Sequence, residues 1–308
     1  MRIIFMGTPD FAVPSLQSII DAGHDVCAVF TQPDKPKGRG YTLTPSEVKR
    51  LALHYDIEVF QPKTLRTADA AEIIRKLTPD VIVVVAYGKI LPKEILDIPK
   101  FGCINVHASL LAKYRGAAPI QWAVINGEKI TGVTTMYMAE GIDTGDIIEQ
   151  VETEIGPDET AGELHDRLSV LGAGLLVQTL AKLQTGTAVR TPQTEENTCY
   201  ASILTKELSS IQWDQSDGSI HNLVRGLSPW PTASTYYRGK LLKIHKTRIV
   251  AGYKGQPGEV INADGSFIVC CGNHTAVELL EVQYEGGKRM SGKDFLRGHP
   301  AENGMILS

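Results

Sequence analysis

The run Val81-Ile-Val-Val-Val-Ala86 leaves few folds open. Its residues are apolar and mostly β-branched, which favours a strand. A strand apolar on both faces must be covered on both, the setting of a central strand in a parallel sheet flanked by helices. The residues before it agree. Arg2 to Met6 reads as a short apolar strand, Gly7-Thr8-Pro9-Asp10 as a turn, and Val13 to Ala22 as a helix with Leu16, Ile19 and Ile20 on one side and Gly23 as its stop. Asp25 to Thr31 follows as a second strand, with helices expected near 46–54 and 68–77. The first hundred residues therefore predict an α/β fold, a Rossmann-like, doubly wound, mostly parallel sheet. At 308 residues the chain is too long for one ordinary core, and a second domain is expected.

Open α/β sheets bind ligands beyond the carboxyl ends of their strands, which directs attention to the loops after Met6, Ala86 and His107. The first of these is no dinucleotide fingerprint. Gly7-Thr-Pro-Asp-Phe-Ala12 has one glycine instead of three, and Pro9 and Phe11 stand where backbone must approach a pyrophosphate, so no nicotinamide is expected. The second, Ala86-Tyr-Gly-Lys-Ile-Leu-Pro92, is an apolar turn whose backbone groups could recognise a flat heterocycle. The third follows Cys103 to His107, a strand from which Asn105 and His107 leave on the same face. Ser109, Lys113, Tyr114, Arg115 and Gly116 come next, a loop rich in function-capable groups. Downstream, Thr131 to Met138 reads as a strand ending in a turn-rich loop, where Asp143 stands between Gly141 and Gly145. An amide, an imidazole and a carboxylate could then share one cleft.

The net charge of −4 argues against indiscriminate nucleic-acid binding. It conceals an asymmetry, because residues 206–308 carry 12 Lys and Arg against 10 Asp and Glu. Arg238, Lys240, Lys243, Lys246, Arg248 and Lys254 occur between Tyr236 and Lys254 with no acidic residue among them. In isolation such a stripe also reads as a solvated face. A second basic stretch, 32–45 with Lys35, Lys37 and Arg39, is long for a connection in an α/β unit, where about 2–6 residues are usual. Cysteines at 27, 103, 199, 270 and 271 form no Cys-x-x-Cys pair, which fits a reducing compartment, and no metal is expected from ligand spacing. No apolar run approaches a membrane span, so no membrane partner and a cytoplasmic location are expected. A leucine-rich helix is expected over 160–184, and several short strand candidates between 233 and 282 with Gly-rich turns favour a small barrel. Low aromatic content makes a monomer the expected state.

The chain resembles the methionyl-tRNA formyltransferase family, among the folate-dependent formyltransferases, over nearly its whole length. The resemblance rests on Gly7-Thr-Pro-Asp-Phe-Ala12, Gln32-Pro-Asp-Lys-Pro-Lys-Gly-Arg-Gly40, Ala86-Tyr-Gly-Lys-Ile-Leu-Pro92, Asn105-Val-His-Ala-Ser-Leu-Leu111, Tyr114-Arg-Gly-Ala-Ala-Pro119 and Asp143-Thr-Gly-Asp-Ile147. It implies a catalytic domain over 1–185, a linker over 186–205 and an OB-like, tRNA-binding barrel over 206–308. It implies transfer of a formyl group from 10-formyltetrahydrofolate, as co-substrate, to the α-amine of methionine carried by initiator tRNA. Asn105 would then be the oxyanion donor, His107 the proton carrier and Asp143 the charge that orients it. The folate would lie along Ser109, Leu110, Leu111 and Ala112 and against Tyr87, Gly88, Ile90 and Leu91. Lys37 and Arg39 would meet the acceptor end of the tRNA, and Arg238, Lys240, Lys243, Lys246 and Arg248 its backbone. Two positions depart from the family pattern. Ala112 stands where proline is usual, which predicts a freer loop, and Tyr41 and Thr42 replace further lysines. The nearest alternative is a formyltransferase acting on a nucleotide-linked sugar amine, which would share the Asn, His and Asp but need no basic loop. A non-catalytic RNA-binding module is another, and would need neither Asn105 nor His107.

Overall fold

The structure, a computed structural model, describes residues 1–37, 42–196, 198–263, 265–302 and 304–308. It divides into two compact units, one made of residues 1–116, 131–154 and 165–200, the other of 117–130, 155–164 and 201–308. In chain order the strands to residue 201 are β1 (Arg2–Gly7), β2 (Asp25–Phe30), β3 (Lys35–Lys37), β4 (Thr42–Thr44), β5 (Val59–Phe60), β6 (Val81–Val85), β7 (Cys103–His107), β8 (Arg115–Gly116), β9 (Ile130–Tyr137), β10 (Ile147–Glu154) and β11 (Tyr200–Ala201). The helices among them are α1 (Val13–Asp21), α2 (Glu47–His54), α3 (Ala68–Leu77), α4 (Lys93–Leu96), α5 (Pro119–Ile125) and α6 (Ala161–Thr185).

Seven of these strands form one sheet in the order β10-β9-β7-β6-β1-β2-β5. β1 runs parallel to β2 and to β6, β2 to β5 and β6 to β7, whereas β9 is antiparallel to β7. The mostly parallel sheet expected from the sequence is borne out. All five residues of β6 are buried, as their apolar character on both faces requires. Gly7 ends β1 because nothing larger fits: a Cβ there would meet the Phe5 ring at 2.7 Å, Ala12 at 2.9 Å and the Val85 carbonyl at 3.1 Å. Local chemistry sets the helix starts. The Ser46 hydroxyl accepts from the Lys49 N–H at the head of α2 (3.1 Å), and Thr160 and Glu163 cap α6 reciprocally, N–H to Oγ1 at 3.2 Å and N–H to Oε2 at 2.8 Å.

The basic stretch after β2 is a small hairpin, in which β3 and β4 pair antiparallel with Lys37 opposite Thr42. Its base is fixed by Lys49, whose ammonium donates to Asp34 Oδ2 and Gln61 Oε1, both at 2.7 Å. Arg39, expected with Lys37 to meet the acceptor end of the tRNA, lies outside the described residues.

The second unit holds α7 (Asp217–Gly226), β12 (Ser234–Tyr237), β13 (Lys240–Val250), β14 (Val260–Ala263), β15 (Ser266–Cys270), β16 (Ala276–Tyr284), β17 (Arg289–Ser291) and α8 (Gly292–Gly298). The strands make a curled, six-stranded antiparallel sheet in the order β12-β13-β16-β15-β14, with β17 on β16, a half-barrel that agrees with the OB-like expectation. Arg238 and Gly239 join β12 to β13 with φ of 48° and 74°, the two left-handed residues that a tight hairpin turn of this twist requires. Tyr237, Phe267 and Phe295 are buried at the centre, the two phenylalanine rings stacked with centroids 5.7 Å apart. β13 does not keep one alternation. Its pairing with β16 shifts on either side of Lys246, and the buried residues run Leu242, Ile244, then Thr247, three apart instead of two. Lys243 before the irregularity and Lys246 and Arg248 after it therefore share the outward face.

Candidate active site

β7 places Asn105 and His107 on one face at the carboxyl end of the parallel strands. In the antiparallel pairing with β9, Asn105 stands opposite Met136 and His107 opposite Thr134. The third member arrives from the loop between β9 and β10. That loop is short and tightly tied: the Tyr137 N–H donates to the Asp146 carbonyl at 2.9 Å, and Gly145 packs so closely on Tyr137 that a Cβ would sit 1.8 Å from its carbonyl oxygen. Asp143 has φ of 52°, in the left-handed region.

One carboxylate gathers the site. Asp143 Oδ1 accepts from the Asn105 amide at 3.3 Å, Oδ2 accepts from the Gly116 N–H at 2.9 Å, and the same Oδ2 lies 3.6 Å from His107 Nδ1. Both the imidazole and the carboxylate are largely removed from water, with side-chain exposures of 7% and 15%. On the other side of the ring, Nε2 meets the Tyr114 carbonyl at 2.9 Å. A carbonyl can only accept, so Nε2 carries a hydrogen in this arrangement, and Nδ1 is the nitrogen left to take up and give back a proton. Tyr114, at φ 59°, is held by its N–H on the Cys199 sulfur at 3.2 Å, and the Arg115 N–H donates to the Cys199 carbonyl at 3.0 Å. The structure thus brings Asn105, His107 and Asp143 together.

The residues from Ser109 to Ala112 form the wall beyond His107. Ser109 Oγ donates to the Lys113 carbonyl at 2.7 Å. Thr134 Oγ1 donates to the Ser109 carbonyl at 2.7 Å and accepts from the Leu111 N–H at 3.2 Å, while Gln150 Nε2 donates to the Leu111 carbonyl at 2.9 Å. The loop is therefore tied to β9 and β10 at Ser109 and Leu111, the residues before Ala112. In the turn after β6 the side chains divide. Tyr87 and Leu91 are core residues at 2% exposure, and Gly88 and Ile90 face outward. The turn is stitched to its neighbours by Thr8 Oγ1, which donates to the Tyr87 carbonyl at 3.2 Å, and by Gln32 Nε2, which donates to the same carbonyl at 3.1 Å. The Tyr87 hydroxyl has no hydrogen-bond partner among the described residues, and burial pushes its phenol up to about 12.

Several supporting groups carry no sequence signal. Thr134 and Gln150 lie on strands whose alternation says only which face they occupy. Gln193 donates from Nε2 to the carbonyls of Asp143 and Gly145, both at 2.8 Å, and comes from a stretch without periodicity after α6. The expected backbone-contacting residues Arg238, Lys240, Lys243, Lys246 and Arg248 are at least partly exposed in the second unit. Lys37 lies in β3. Among the described residues no group of three or more His, Cys, Asp or Glu could hold a metal ion, and no helix is long and apolar enough to cross a membrane.

A neutral amide donor and an imidazole share one carboxylate at the strand ends of a doubly wound sheet. Residues 1–180 match the formyl transferase family model and residues 203–300 the model of the formyl transferase C-terminal domain, and the chain belongs to the formyl transferase family. Within that family it is 51% identical over 308 residues to the methionyl-tRNA formyltransferase of Alkaliphilus oremlandii, covering 100% of this chain and 99% of that protein. It is 53% identical over 309 residues to the methionyl-tRNA formyltransferase of Pelotomaculum thermopropionicum, covering 100% and 98%. The resemblance read from the motifs is borne out. Among solved structures, the N-formyltransferase of Helicobacter canadensis, crystallised with folinic acid and dTDP-3-aminofucose, aligns with a TM-score of 0.69 at 20% identity over 92% of this chain and 98% of that one. HypX of Aquifex aeolicus in complex with tetrahydrofolic acid aligns at 0.61 and 19% identity, over 100% of this chain and 50% of that one. At these identities the two structures speak for the fold alone.

Proposed function

We propose that this chain transfers the formyl group of 10-formyltetrahydrofolate to the α-amine of methionine esterified to initiator tRNA, the reaction that prepares the tRNA for translation initiation in the cytoplasm. The observation that carries the reading is the Asp143 carboxylate bridging the Asn105 amide and the His107 imidazole at 3.3 and 3.6 Å. Attack of the amine on the formyl carbon creates a tetrahedral oxyanion. One N–H of the Asn105 amide is engaged by Asp143, and the other has no protein partner among the described residues, so it can donate to that oxyanion. The attacking nitrogen must lose a proton and the N10 nitrogen of the folate must gain one. His107 carries it on Nδ1, with Asp143 facing the imidazolium that forms and the Tyr114 carbonyl keeping the ring oriented.

The folate is assigned to the wall Ser109, Leu110, Leu111 and Ala112, together with the turn of Tyr87, Gly88, Ile90 and Leu91. Because Tyr87 and Leu91 point into the core, that turn offers backbone groups and the surfaces of Gly88 and Ile90. Residues 1–185 are assigned as the catalytic domain and 206–308 as the tRNA-binding domain, joined by 186–205, whose part up to Tyr200 packs within the first unit. In the last, the common outward face of Lys243, Lys246 and Arg248, with Lys240 and Arg238 at the hairpin, supports contact with phosphates. Lys37 and Arg39 are assigned to the acceptor end. Solved sugar N-formyltransferases share the fold at 19–22% identity, whereas the full-length relatives at 51–53% are methionyl-tRNA formyltransferases.

The test is direct. Purified chain is incubated with 10-formyltetrahydrofolate and either methionyl initiator tRNA or a set of nucleotide-linked amino sugars, and formylated product is measured by mass spectrometry. Formylmethionine released from the tRNA is expected. Formylation of a sugar amine in its place would overturn the substrate, and no formylation of any amine would overturn the enzyme.

A further inference from the structure

Gln193 lies fifty residues from Asp143 in sequence, and its carboxamide is fully engaged. Nε2 donates to the carbonyls of Asp143 and Gly145, both at 2.8 Å, and Oε1 accepts from Arg115 Nε at 3.0 Å. A guanidinium only donates and carbonyls only accept, so the orientation of this amide is fixed by its partners. Arg115 is itself 1% exposed, and its Nη1 reaches Glu195 Oε1 at 3.1 Å. Residue 143 is not glycine, yet its φ is 52°, a conformation that persists only where the surroundings over-determine it. The two donors of Gln193 grip the carbonyl of that residue and the carbonyl two residues on. The side chain of the gripped residue is the one that meets Asn105, His107 and the Gly116 N–H.

We propose that Gln193 is a positioning residue for formyl transfer: backed by Arg115, it clamps Asp143 in its left-handed conformation and so sets the carboxylate against Asn105 and His107. The inference rests on the catalytic reading of that trio. Gln193 acts through Asp143, so its effect falls on the rate of the chemical step and not on the binding of either substrate. The stretch after α6, which reads in sequence as a connection, thereby supplies a fixed part of the site.

The discriminating variants are Gln193→Glu and Gln193→Met in the full chain. Glutamate keeps the size and the Arg115 contact but replaces two donors by an oxygen facing two carbonyls, and methionine removes all three contacts. For each, kcat, the KM values for 10-formyltetrahydrofolate and methionyl-tRNA, and Tm are measured, under single-turnover conditions where needed, both alone and combined with Asp143→Asn. Gln193→Glu is expected to lower kcat about 10–100-fold with both KM values within about 2-fold, as a misplaced supporting group does. In the Asp143→Asn background the same change should alter kcat by less than about 3-fold, because the group it acts through is already lost. Equal losses in both backgrounds, or wild-type kcat in both variants, would overturn the proposal. Failure of both variants to fold would also overturn it, by making Gln193 a structural brace. If the unaltered chain formylates nothing, the functional reading itself falls; if it turns over and the Gln193 variants do too, only this inference falls.

Discussion

Replacing Gly145 by alanine should disable the site from a position outside the Asn105, His107 and Asp143 trio. Gly145 does not need its glycine for a left-handed φ; it needs it for space, since a Cβ would lie 1.8 Å from the Tyr137 carbonyl oxygen and 2.8 Å from its carbonyl carbon. Both are backbone atoms of β9, so no side chain can swing away. To reach even 3.0 Å the loop must withdraw by about 1.2 Å, the difference between 3.0 and 1.8. Asp143 is two residues upstream on the same loop, and its contacts at 3.3 and 3.6 Å have little slack. A misplacement of about 1 Å in a catalytic arrangement costs on the order of 10²-fold in rate, whereas overpacking of this kind destabilises by roughly 1–3 kcal/mol. The expected result is therefore a kcat lowered about 100-fold in a chain that still melts cooperatively, several degrees below the parent. Steady-state formylation of methionyl-tRNA and thermal melting by circular dichroism measure the two. Gly174→Ala in α6 is the control, because nothing lies within 4 Å of its Cβ and a helix interior gains about 0.5–1 kcal/mol from the change. A Gly145→Ala variant with kcat within about 3-fold of the parent would refute the view that this loop has one permitted position.

Asn105→Ala removes the oxyanion donor, and kcat should fall about 10²–10³-fold with little change in the dissociation constant of the folate measured by fluorescence. Thr134→Val leaves the Leu111 N–H and the Ser109 carbonyl without their shared hydroxyl, so it should cost about 1–3 kcal/mol in melting and raise the KM for the folate more than that for the tRNA. Tyr87→Phe deletes a buried hydroxyl with no partner among the described residues. It should leave stability unchanged or raise it by about 1 kcal/mol, read from chemical denaturation. Lys240→Ala and Lys243→Ala should each weaken tRNA binding and reduce the slope of log K against log salt by about 1. Arg248→Ala should do less, because its guanidinium is already paired with Glu278.

The parallel sheet was legible because its central strands are apolar on both faces, a requirement that only burial on both sides explains. Asn105 and His107 were legible too, since two polar residues at spacing two near a strand end must emerge together. Asp143 could be recognised as a turn residue from its glycines, but its meeting with Asn105 across 38 residues is long-range, and the family resemblance, not spacing, carried that reading. Gln193 had nothing to mark it. Its role arises from three hydrogen bonds made at distances of 48 to 78 residues along the chain, and such contacts leave no local period. The loop at Ala112 illustrates a different limit: the residue itself predicts freedom, but the hydrogen bonds from Thr134 and Gln150 to the neighbouring Leu111 are long-range and could not be read from it.

The irregularity in β13 makes the strand change its reading frame. Before the step Leu241 and Lys243 alternate with buried Leu242 and Ile244, whereas beyond it Lys246 and Arg248 flank buried Thr247, so position parity has no single meaning along the strand. A lysine introduced at Leu241 would lengthen the basic row beside Lys243. The same lysine at Thr247, which shares that parity, would be driven among Val277, Leu279 and the rest of the buried layer. Charge on this face can thus be revised independently in the two halves of the strand, provided the three-residue step between Ile244 and Thr247 is left alone.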